Sequence, residues 1–594
     1  MQLGRPGFDN ESIALLQTRP LKFVSKTDIY VRINFSGNGK GKSLLSQITR
    51  KGQEIVADSV YLNGTIYTVD AKNPKATAMA IKDRTFLHVG TDGDARKHVG
   101  RRTSVFDLQG KTVLPGLIDA HLHYNAIGET KMMLDAFWKP KEEILDAVAA
   151  ACKKAGEGEW IQGRGWNQEV WIPAVFPTKE DLDEVAPGIP VCLIRADSHA
   201  AWVNSKTLEI AGITRDTPNP AGGEIIRDAK GEATGILIDT ARGLVSKYIP
   251  SLSKERMLDA LRLAQEEMVS NGLTGGHDAG CDLAMIEMLK GLYESGKLSV
   301  RLYERLRIPE GSTSRHDEFY AGGKQIGLYQ NCLTVRGIKI AVDGALGSHG
   351  ALMLQPYDDR PAGRLGNQRV DKEKLYDQVK RARQAGFQVS AHAIGDAANR
   401  WVLDVYQRVL KEMPDPDHRY RIEHAQVVAL EDIPRFAKLG VIPSMQAVHA
   451  VSDKNMAEKR VGPERIKGTY AWRKFLNTGV VIANGTDAPV EKVNPFHGLS
   501  AAVTRQDRNG QPPGGWYPEE KMTREEALKS YTIWAAYAAF EEHLKGSIEA
   551  GKLADFVVID RDYMNCRESE IKDIRVLETV IGGKAVYSTR QISE

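Results

Sequence analysis

The 594-residue sequence has few cysteines, no long apolar run and little net charge. Its five cysteines are widely separated and none lies in a C-x-x-C pair, which argues against a disulfide framework and against a zinc site built from thiolates. No stretch of about 18 apolar residues occurs, and charged residues interrupt the N-terminus where a signal peptide needs an apolar core. The formal net charge of +3 favours neither nucleic acid nor a membrane surface as a partner. We therefore expect a cytoplasmic protein with a small-molecule ligand.

The first 55 residues differ from the rest of the chain. They carry nine basic residues against four acidic ones, and their apolar periodicity is weak. Gly41-Lys42-Ser43 matches the end of a phosphate-binding loop, but Ser36 stands where that loop requires glycine, and no strand–helix–strand unit follows. We predict a poorly defined N-terminal extension over residues 1–55, without a nucleotide site.

Short strand-like runs occur near both ends of the remaining chain. In residues 56–112 they are separated by turn pairs such as Asn63-Gly64, which is typical of antiparallel strands. Residues 541–594 contain matching runs, and neither set is large enough to close a sandwich alone. We expect one β-sandwich assembled from both ends, with strands at Ser59–Leu62, Thr65–Val69, Ala78–Ile81, Thr85–Val89, Phe556–Ile559, Val576–Ile581 and Lys584–Tyr587.

Over residues 113–540, apolar runs alternate with helical segments, which predicts a parallel sheet covered by helices. Eight strand candidates make a (β/α)8 TIM barrel the first choice, and the stretch from about 128 to 250 is then an insertion that caps the barrel after its first strand. The strand candidates are Val113–His121, Leu273–His277, Val300–Arg305, Val335–Asp343, Gln388–His392, Tyr420–His424, Val441–Met445 and Val480–Gly485. Helices are predicted at Glu255–Ser270, Asp282–Ser295, Lys372–Ala385 and Ala398–Lys411.

Polar side chains stand where several of these strands end. His121 and His123 are spaced i, i+2, so on a strand both imidazoles project from one face. Neutral imidazole is the commonest nitrogen ligand of zinc, and the active sites of such barrels lie at the C-terminal ends of the strands. The other candidates at this edge are Lys339 on strand four, His392 on strand five, His424 on strand six and Asp487 after strand eight.

Each of these residues also has a structural interpretation when taken singly. A strand-end histidine is more often hydrogen-bonded than a ligand, and Asp487 could cap a helix. Lys339 is harder to explain, because a buried ammonium is costly unless it has an acid partner or a modification that reverses its charge. Since the structural interpretation requires all of them to coincide at one edge, we favour a metal centre.

Several motifs resemble those of the amidohydrolase superfamily, and within it the YtcJ-like branch that includes N-substituted formamide deformylases. The resemblance extends over roughly residues 57–590. Gly163–Asn167 and Asp197–Asn204 are similar to that branch in particular, although its members often carry aspartate where this chain has Asn167. The motifs shared with the superfamily are Pro115–His123, Lys339 with Asp343–Ser348, Ala391–Asp396, Glu423–Ala425, Gly485–Asp487, Gly546–Ile548 and Gly551–Asp555.

The resemblance implies a divalent metal centre, for which the nitrogen-rich ligand set favours zinc. Lys339 would be carboxylated on its amine and would bridge two Zn²⁺ ions, and a mononuclear site with unmodified Lys339 stays open as the alternative. Asp487 would also be catalytic, taking a proton from the attacking water and passing it to the leaving nitrogen. The implied ligands are His121, His123 and Asp487 on the more buried ion, and His392 and His424 on the more exposed one.

Three further residues are candidates for binding the substrate. His199 in the cap and His277 at the end of strand two could hold a substrate oxygen, although a structural role is equally consistent for His199 and is favoured for His277. Trp166 could line an apolar pocket or could serve only in packing.

The resemblance and the candidate ligands together predict a metal-dependent hydrolase of a carbon–nitrogen bond other than a peptide bond, with an N-substituted amide or formamide as substrate. A lactonase or esterase on the same centre is the alternative enzyme, since the same attack cleaves an ester. A catalytically inactive barrel acting as a binding protein is the alternative outside enzymes, but it would have no need of the whole ligand set. A homodimer is expected only from the general frequency of symmetric pairs.

Overall fold

Eight parallel strands curve into a nearly closed barrel at the centre of the protein. The computed structural model describes residues 55–156, 158–307, 320, 322–360, 363 and 365–589. The predicted extension, apart from Ile55, therefore lies outside the described residues, and so does the stretch that resembles a phosphate-binding loop. The (β/α)8 prediction is confirmed, because each barrel strand pairs in parallel with the next. In chain order the strands are β1 (Leu117–Leu122), β2 (Leu273–Asp278), β3 (Arg301–Arg307), β4 (Leu333–Ala341), β5 (Gln388–Ala393), β6 (Arg421–His424), β7 (Ile442–Met445) and β8 (Ala483–Asn484).

Backbone hydrogen bonds just beyond the strand ends join the last barrel strand to the first. The amide of Asp487 donates to the carbonyl of His121 at 2.7 Å, and the amide of His123 donates to the carbonyl of Ala488 at 2.8 Å. These bonds hold the segment after β8 against the end of β1, which places Asp487 beside the two histidines.

Helices cover the outside of the barrel, as the alternating pattern predicted. In the helix Asp396–Glu412, Val402, Tyr406 and Val409 recur at helical spacing and are all buried, so one face packs inward. The four predicted helices are confirmed with ends that differ by at most two residues: Lys254–Ser270, Leu283–Glu294, Lys372–Gln384 and Asp396–Glu412. Others in and around the barrel are Tyr124–Lys131, Ile433–Leu439, Ala447–Asp453, Ala457–Arg465, Trp472–Asn477, Pro495–Thr504, Arg524–Ser530 and Ile533–Ala538.

The insertion between β1 and β2 contains a sheet of its own, which the sequence pattern did not predict. Helices at Lys141–Cys152, Lys179–Val185 and Ser205–Ala211 accompany it, and its core holds two fully buried tryptophans, Trp166 and Trp202. Its six strands are Leu134–Asp135, Ile161–Trp166, Val191–Arg195, Ala200–Val203, Gly223–Arg227 and Ala233–Asp239.

Two further sheets lie at the chain ends, and one of them combines N-terminal with C-terminal strands as expected. Two details of the prediction were wrong. The sheets are mixed, because Ser59–Leu62 pairs in parallel with Ser104–Asp107, a strand that was not predicted, and Thr65–Tyr67 pairs in parallel with Thr112–Pro115. The purely N-terminal sheet contains Thr85–Gly90, Ala78–Lys82, Ser59–Leu62 and Ser104–Asp107, and the composite sheet contains Lys584–Ser588, Val576–Ile581, Phe556–Ile559, Thr112–Pro115, Thr65–Tyr67 and Lys75–Ala76.

The second error concerns the predicted strand Val113–His121, which is two strands that belong to different sheets. Thr112–Pro115 pairs with Phe556–Ile559 in the composite sheet, whereas Leu117–Leu122 is barrel strand β1. Gly116 joins them where the chain passes Thr274, because an added Cβ would lie only 2.3 Å from the threonine hydroxyl. A continuous apolar run conceals this break, since burial in two sheets gives the same composition as burial in one.

A buried ion pair links the barrel to the composite sheet. Arg301, the first residue of β3, donates from Nε and Nη2 to both oxygens of Asp555, which directly precedes the strand Phe556–Ile559. Burial raises the pKa of Asp555, but Arg301 outweighs that effect and holds it below its usual range. No helix in the described part of the chain is both long and apolar enough to cross a bilayer.

Replacing Asp555 with asparagine is expected to destabilise the fold by about 3–5 kcal/mol, because the buried guanidinium of Arg301 loses its counter-charge. The stabilisation by this carboxylate is present above its unfolded-state pKa of about 3.9 and is lost as the pH falls through the lower folded value. The melting midpoints of the two proteins should therefore differ at pH 7 and converge in acid. Asp573→Asn, which changes an exposed partner of Lys572, is the control. Equal midpoints of Asp555→Asn and wild type at pH 7 would contradict the expectation.

Candidate active site

The six predicted ligand residues line one cavity of about 1440 Å³ at the C-terminal ends of the barrel strands. β1 supplies His121 and is followed by His123, and β6 ends in His424. The other three are Lys339 on β4, His392 on β5 and Asp487 after β8.

His121, His123 and Asp487 form one group whose ligating atoms all lie within 4.8 Å of one another. Nε2 of His123 is 3.2 Å from Oδ1 of Asp487, and Nε2 of His121 is 3.4 Å from the same oxygen. Asp487 has a φ of +57°, in the left-handed region that aspartate tolerates better than most residues. The two histidines therefore face the same side, as their i, i+2 spacing predicted, and Asp487 lies beside them; their joint role as metal ligands stays a prediction.

A second group contains His424, Asp487 and a histidine that the sequence reasoning missed, His449. His449 lies in the helix Ala447–Asp453 that follows β7, and its Nε2 is 3.8 Å from Oδ2 of Asp487. Its ring stacks on that of His424 with centroids 6.1 Å apart and an interplanar angle of 11°. Asp487 thus lies between the two histidine groups.

His392 lies beside His424 but belongs to neither group. The two ring centroids are 4.6 Å apart, and Nε2 of His392 is 3.4 Å from Oδ1 of the buried Asp343. The predicted pairing of His392 with His424 as joint ligands therefore stays a prediction, whereas the proximity of the two rings is observed.

Several ligating atoms at this edge are buried without a hydrogen bond. Among the described residues these include Nε2 of His121, Nε2 of His449 and Oδ1 of Asp487. Burial lowers the pKa of His121, His392 and His424 well below the usual value, so these imidazoles are neutral at pH 7. Neutral imidazoles with free Nε2 atoms beside a carboxylate are a suitable donor set for a divalent metal ion.

Lys339 lies among these ligands with little exposure to solvent. Burial lowers the pKa of its amine to about 7, so a large fraction of the side chain is uncharged at neutral pH. Its positive charge, when present, lowers the pKa of His121 and His392 further. The chain therefore avoids a permanent ammonium in the barrel, as the cost of burying one requires.

A buried carboxylate beneath the ligands fixes one of them. Oε2 of Glu423 contacts Nδ1 of His121, and its other oxygen pairs with the guanidiniums of Arg305 and Arg421, the latter at 2.9 Å. Gly337 makes room for Arg305, since an added Cβ would lie 2.4 Å from Cγ of that side chain. The contact of Glu423 with Nδ1 directs Nε2 of His121 towards Asp487, as the hydrogen-bond partners of metal-binding histidines commonly do.

Comparison with known proteins agrees with this geometry. The sequence profile described as the amidohydrolase family matches residues 104–587. The chain belongs to the amidohydrolase family. Its predicted place among YtcJ-like proteins is confirmed as well, because it is 33% identical over 538 residues to YtcJ, a proposed amidohydrolase of Bacillus subtilis (strain 168), covering 89% of this chain and 99% of that protein.

Other relatives of this amidohydrolase are similar over nearly their whole lengths. The protein LONG AFTER FAR-RED 3 of Arabidopsis thaliana is 36% identical over 550 residues, covering 90% of this chain and 92% of that protein. An N-substituted formamide deformylase of Arthrobacter pascens is 29% identical over 541 residues, with 89% and 98% covered. The crystal structure of an uncharacterized metal-dependent hydrolase from Pyrococcus horikoshii OT3 superposes with a TM-score of 0.69 at 28% identity, covering 86% of this chain and 99% of that one.

The three residues predicted to bind substrate occupy different places in this amidohydrolase. His199 lines the cavity, and its Nδ1 is 2.6 Å from Oδ1 of Asp239. His277 does not line it, because the side chain is buried below the ligands, where Nη1 of Arg421 donates to its Nδ1 at 3.0 Å. Trp166 lies in the core of the insertion and donates from Nε1 to the carbonyl of Leu193 at 2.8 Å. Neither His277 nor Trp166 lines the cavity, so these contacts favour the structural role that the sequence analysis allowed for each, and substrate binding by either residue stays a prediction.

Proposed function

We propose that this amidohydrolase cleaves a carbon–nitrogen bond other than a peptide bond, in an N-substituted amide or formamide. The observation that carries the proposal is the convergence of buried, unbonded ligating atoms of His121, His449 and Asp487 at the open end of the barrel. The formamide deformylase among its relatives supports the substrate class. A small-molecule substrate fits the cavity, and the predicted homodimer and cytoplasmic location stay predictions.

The donor set fits one or two divalent ions, for which zinc is proposed because nitrogen ligands dominate. His121, His123 and Asp487 would hold one ion, and His424 would contribute to a second with His392 or His449. When bound, such ions supply an electrophile that polarises a carbonyl and lowers the pKa of a water. The remaining chemistry depends on the protein's own side chains.

Lys339 is proposed to carry a carboxylate on its amine. At neutral pH the free amine can attack carbon dioxide, forming a nitrogen–carbon bond and releasing one proton, and the product is an anionic oxygen ligand. The pKa of about 7 supplies the uncharged amine that this reaction needs. A mononuclear centre with an unmodified lysine is the alternative.

Asp487 is proposed to transfer the proton. Its Oδ1 is buried without a hydrogen bond, and the backbone bond between its amide and His121 fixes the residue beside the histidines. From this position the carboxylate can accept a proton from the attacking water and donate it to the leaving nitrogen. The departing amine then leaves in its neutral form, which makes the bond easier to break.

His199 is proposed to hold the substrate carbonyl oxygen. Its Nδ1 binds Asp239, which fixes the ring and leaves Nε2 for a ligand, and its ring centroid is 6.3 Å from that of His392. To hold a carbonyl oxygen, Nε2 must carry a hydrogen, so the proposed donor is the doubly protonated ring of His199 paired with Asp239. The cap would in this way add a hydrogen-bond donor to a site otherwise built by the barrel.

Metal content per chain tests the proposed centre, measured by elemental analysis on wild type and Lys339→Ala purified with bicarbonate. We expect two divalent ions in wild type and one or none in the variant. One ion in both proteins would overturn the carboxylated bridge, and no metal in either after reconstitution would favour a binding protein.

A panel of substituted amides, formamides and lactones then tests which bond is cleaved. Hydrolysis of lactones alone would replace the amide proposal with that of a lactonase.

A further inference from the structure

Two arginines in the cap, Arg164 and Arg242, line the cavity without an acidic partner. Both contact Ser198, the neighbour of His199: Nη2 of Arg164 donates to its hydroxyl and Nη1 of Arg242 donates to its carbonyl. Among the described residues, no carboxylate oxygen lies within ion-pair distance of either guanidinium. We call these two residues the arginine pair.

Arg164 is held close to the proposed metal centre. Only 9% of the residue is exposed, and its Nε donates at 3.2 Å to the carbonyl of Pro489, two residues after Asp487. A further bond of 3.4 Å joins Nη2 to the carbonyl of Ala196. Carbonyl oxygens and one hydroxyl thus satisfy part of this guanidinium. Asp487, Asp197 and Glu129 act on its charge from a distance, but none of them forms an ion pair with it.

Arg242 retains an unsatisfied donor. Its Nε is buried and makes no hydrogen bond. Burial lowers the pKa of Arg242, and that of Arg164 falls to about 10, so both remain positively charged at neutral pH. Two desolvated cations side by side are unfavourable unless an anion joins them.

Three other cations around the same cavity have acidic partners. Arg195 pairs with Asp197, and Lys374 lies 3.4 Å from Asp371. Arg369 lies 3.9 Å from Asp239, the carboxylate that also fixes His199. The arginine pair differs from these three cations in having no ion-paired carboxylate among the described residues. It differs from Arg307, which also lines the cavity without such a partner, because Arg307 is exposed to solvent.

We propose that the arginine pair binds a carboxylate of the substrate, so that this amidohydrolase acts on amides that carry a carboxylate. A guanidinium offers a planar set of donors that matches a carboxylate. A singly charged anion fits better than a phosphate, because the carboxylates of Asp197 and Asp239 lie nearby and repel a second negative charge. The proposal rests on the proposed amide hydrolysis, and it adds which amides are preferred.

The position of Ser198 relates the anion site to the reaction. Both arginines donate hydrogen bonds to Ser198, and the next residue, His199, is the one proposed to hold the substrate carbonyl. An amide whose carboxylate lies a few bonds from its carbonyl could therefore reach both groups at once. Fixing the substrate at a second point would also orient the carbonyl for attack.

Matched substrate pairs test the proposal on the intact, metal-loaded protein. We would compare 4-(formamidomethyl)benzoate with N-benzylformamide, and N-formylphenylalanine with N-(2-phenylethyl)formamide, because each pair differs by one carboxylate. Wild type is expected to prefer the charged member by about 10- to 100-fold in kcat/KM, which is the effect that hydrogen bonds to a charged group typically have on binding. Arg242→Gln should remove most of that preference, whereas Arg215→Gln, an exposed arginine of the same insertion, should keep it.

A binding measurement separates this proposal from the proposed reaction. Calorimetric titration with 4-methylbenzoate, 4-methylbenzamide and inorganic phosphate needs no turnover, and affinity for the benzoate should fall at least about tenfold in Arg242→Gln. Arg164→Lys, which keeps the charge but loses the planar pair of donors, is a second variant in case Arg242→Gln unfolds, and it should also bind 4-methylbenzoate more weakly than wild type does.

The outcomes distinguish the two proposals. If 4-methylbenzoate binds in an arginine-dependent way but no amide is hydrolysed, the carboxylate site at the arginine pair is supported and the proposed amide hydrolysis is rejected. Hydrolysis of both members of each pair at equal rates, with benzoate affinity unchanged in both variants, would overturn the anion site and leave the reaction standing. Tighter binding of phosphate than of benzoate would overturn the choice of a carboxylate.

Discussion

Asp487→Asn is expected to lower kcat/KM for amide hydrolysis by about 10³-fold or more, because the amide cannot accept and return a proton. The same change removes the carboxylate shared by both groups of histidines, so metal content should fall as well. Asparagine is the appropriate replacement, since it tolerates the left-handed backbone of this position as aspartate does. The measurement is kcat/KM on the best amide of the panel, with metal content determined on the same preparation.

Asp371→Asn is the matched control for this variant. Asp371 also lines the cavity, but it caps the helix Lys372–Gln384 by accepting from the amide of Lys374, a bond that asparagine can keep. The control should retain wild-type activity and metal. If Asp487→Asn kept activity within tenfold of wild type, Asp487 would not be the proton carrier.

The barrel was predictable from sequence because its strands are short apolar runs separated by amphipathic helices. The strand-end histidines could also be located, since parallel strands deliver their C-terminal residues to one edge. The break at Gly116 could not be found in this way, because Thr112–Pro115 and β1 are equally apolar. The sheet of the insertion was missed for another reason: its strands alternate with loops and short helices, without a repeating period.

The missed site residues differ in whether a sequence signal existed. His449 lies on a helix after β7, outside any strand. The only sequence signal for it was its position shortly after Met445, where β7 ends. Glu423, Arg305 and Arg421 did carry a signal, because charged residues within buried strands need partners just as Lys339 does. The pairing of Arg421 with Glu423 follows from their i, i+2 spacing on β6. The contact of Arg305 with Glu423 joins β3 to β6, which are not neighbours in the sheet, and spacing along the chain does not reveal it.

Glu423→Gln is expected to destabilise the protein by about 3–5 kcal/mol, because two buried guanidiniums lose their shared carboxylate. Burial raises the pKa of Glu423, but Arg305, Arg421 and His121 hold it well below its usual range. The stabilisation is therefore complete above the unfolded-state pKa of about 4.3 and disappears as the pH falls through the lower folded value. Thermal unfolding at pH 7 and in acid should show a difference that narrows with decreasing pH.

Metal content gives this variant a second readout that stability alone does not predict. Without the carboxylate on Nδ1, His121 loses the contact that orients Nε2, and affinity for the metal should fall by about 10- to 100-fold. Glu431→Gln, which changes an exposed partner of Arg400, should alter neither the melting midpoint nor the metal content. A Glu423→Gln protein with a wild-type midpoint and full metal content would mean that the arginines find other acceptors and that His121 is oriented by β1 alone.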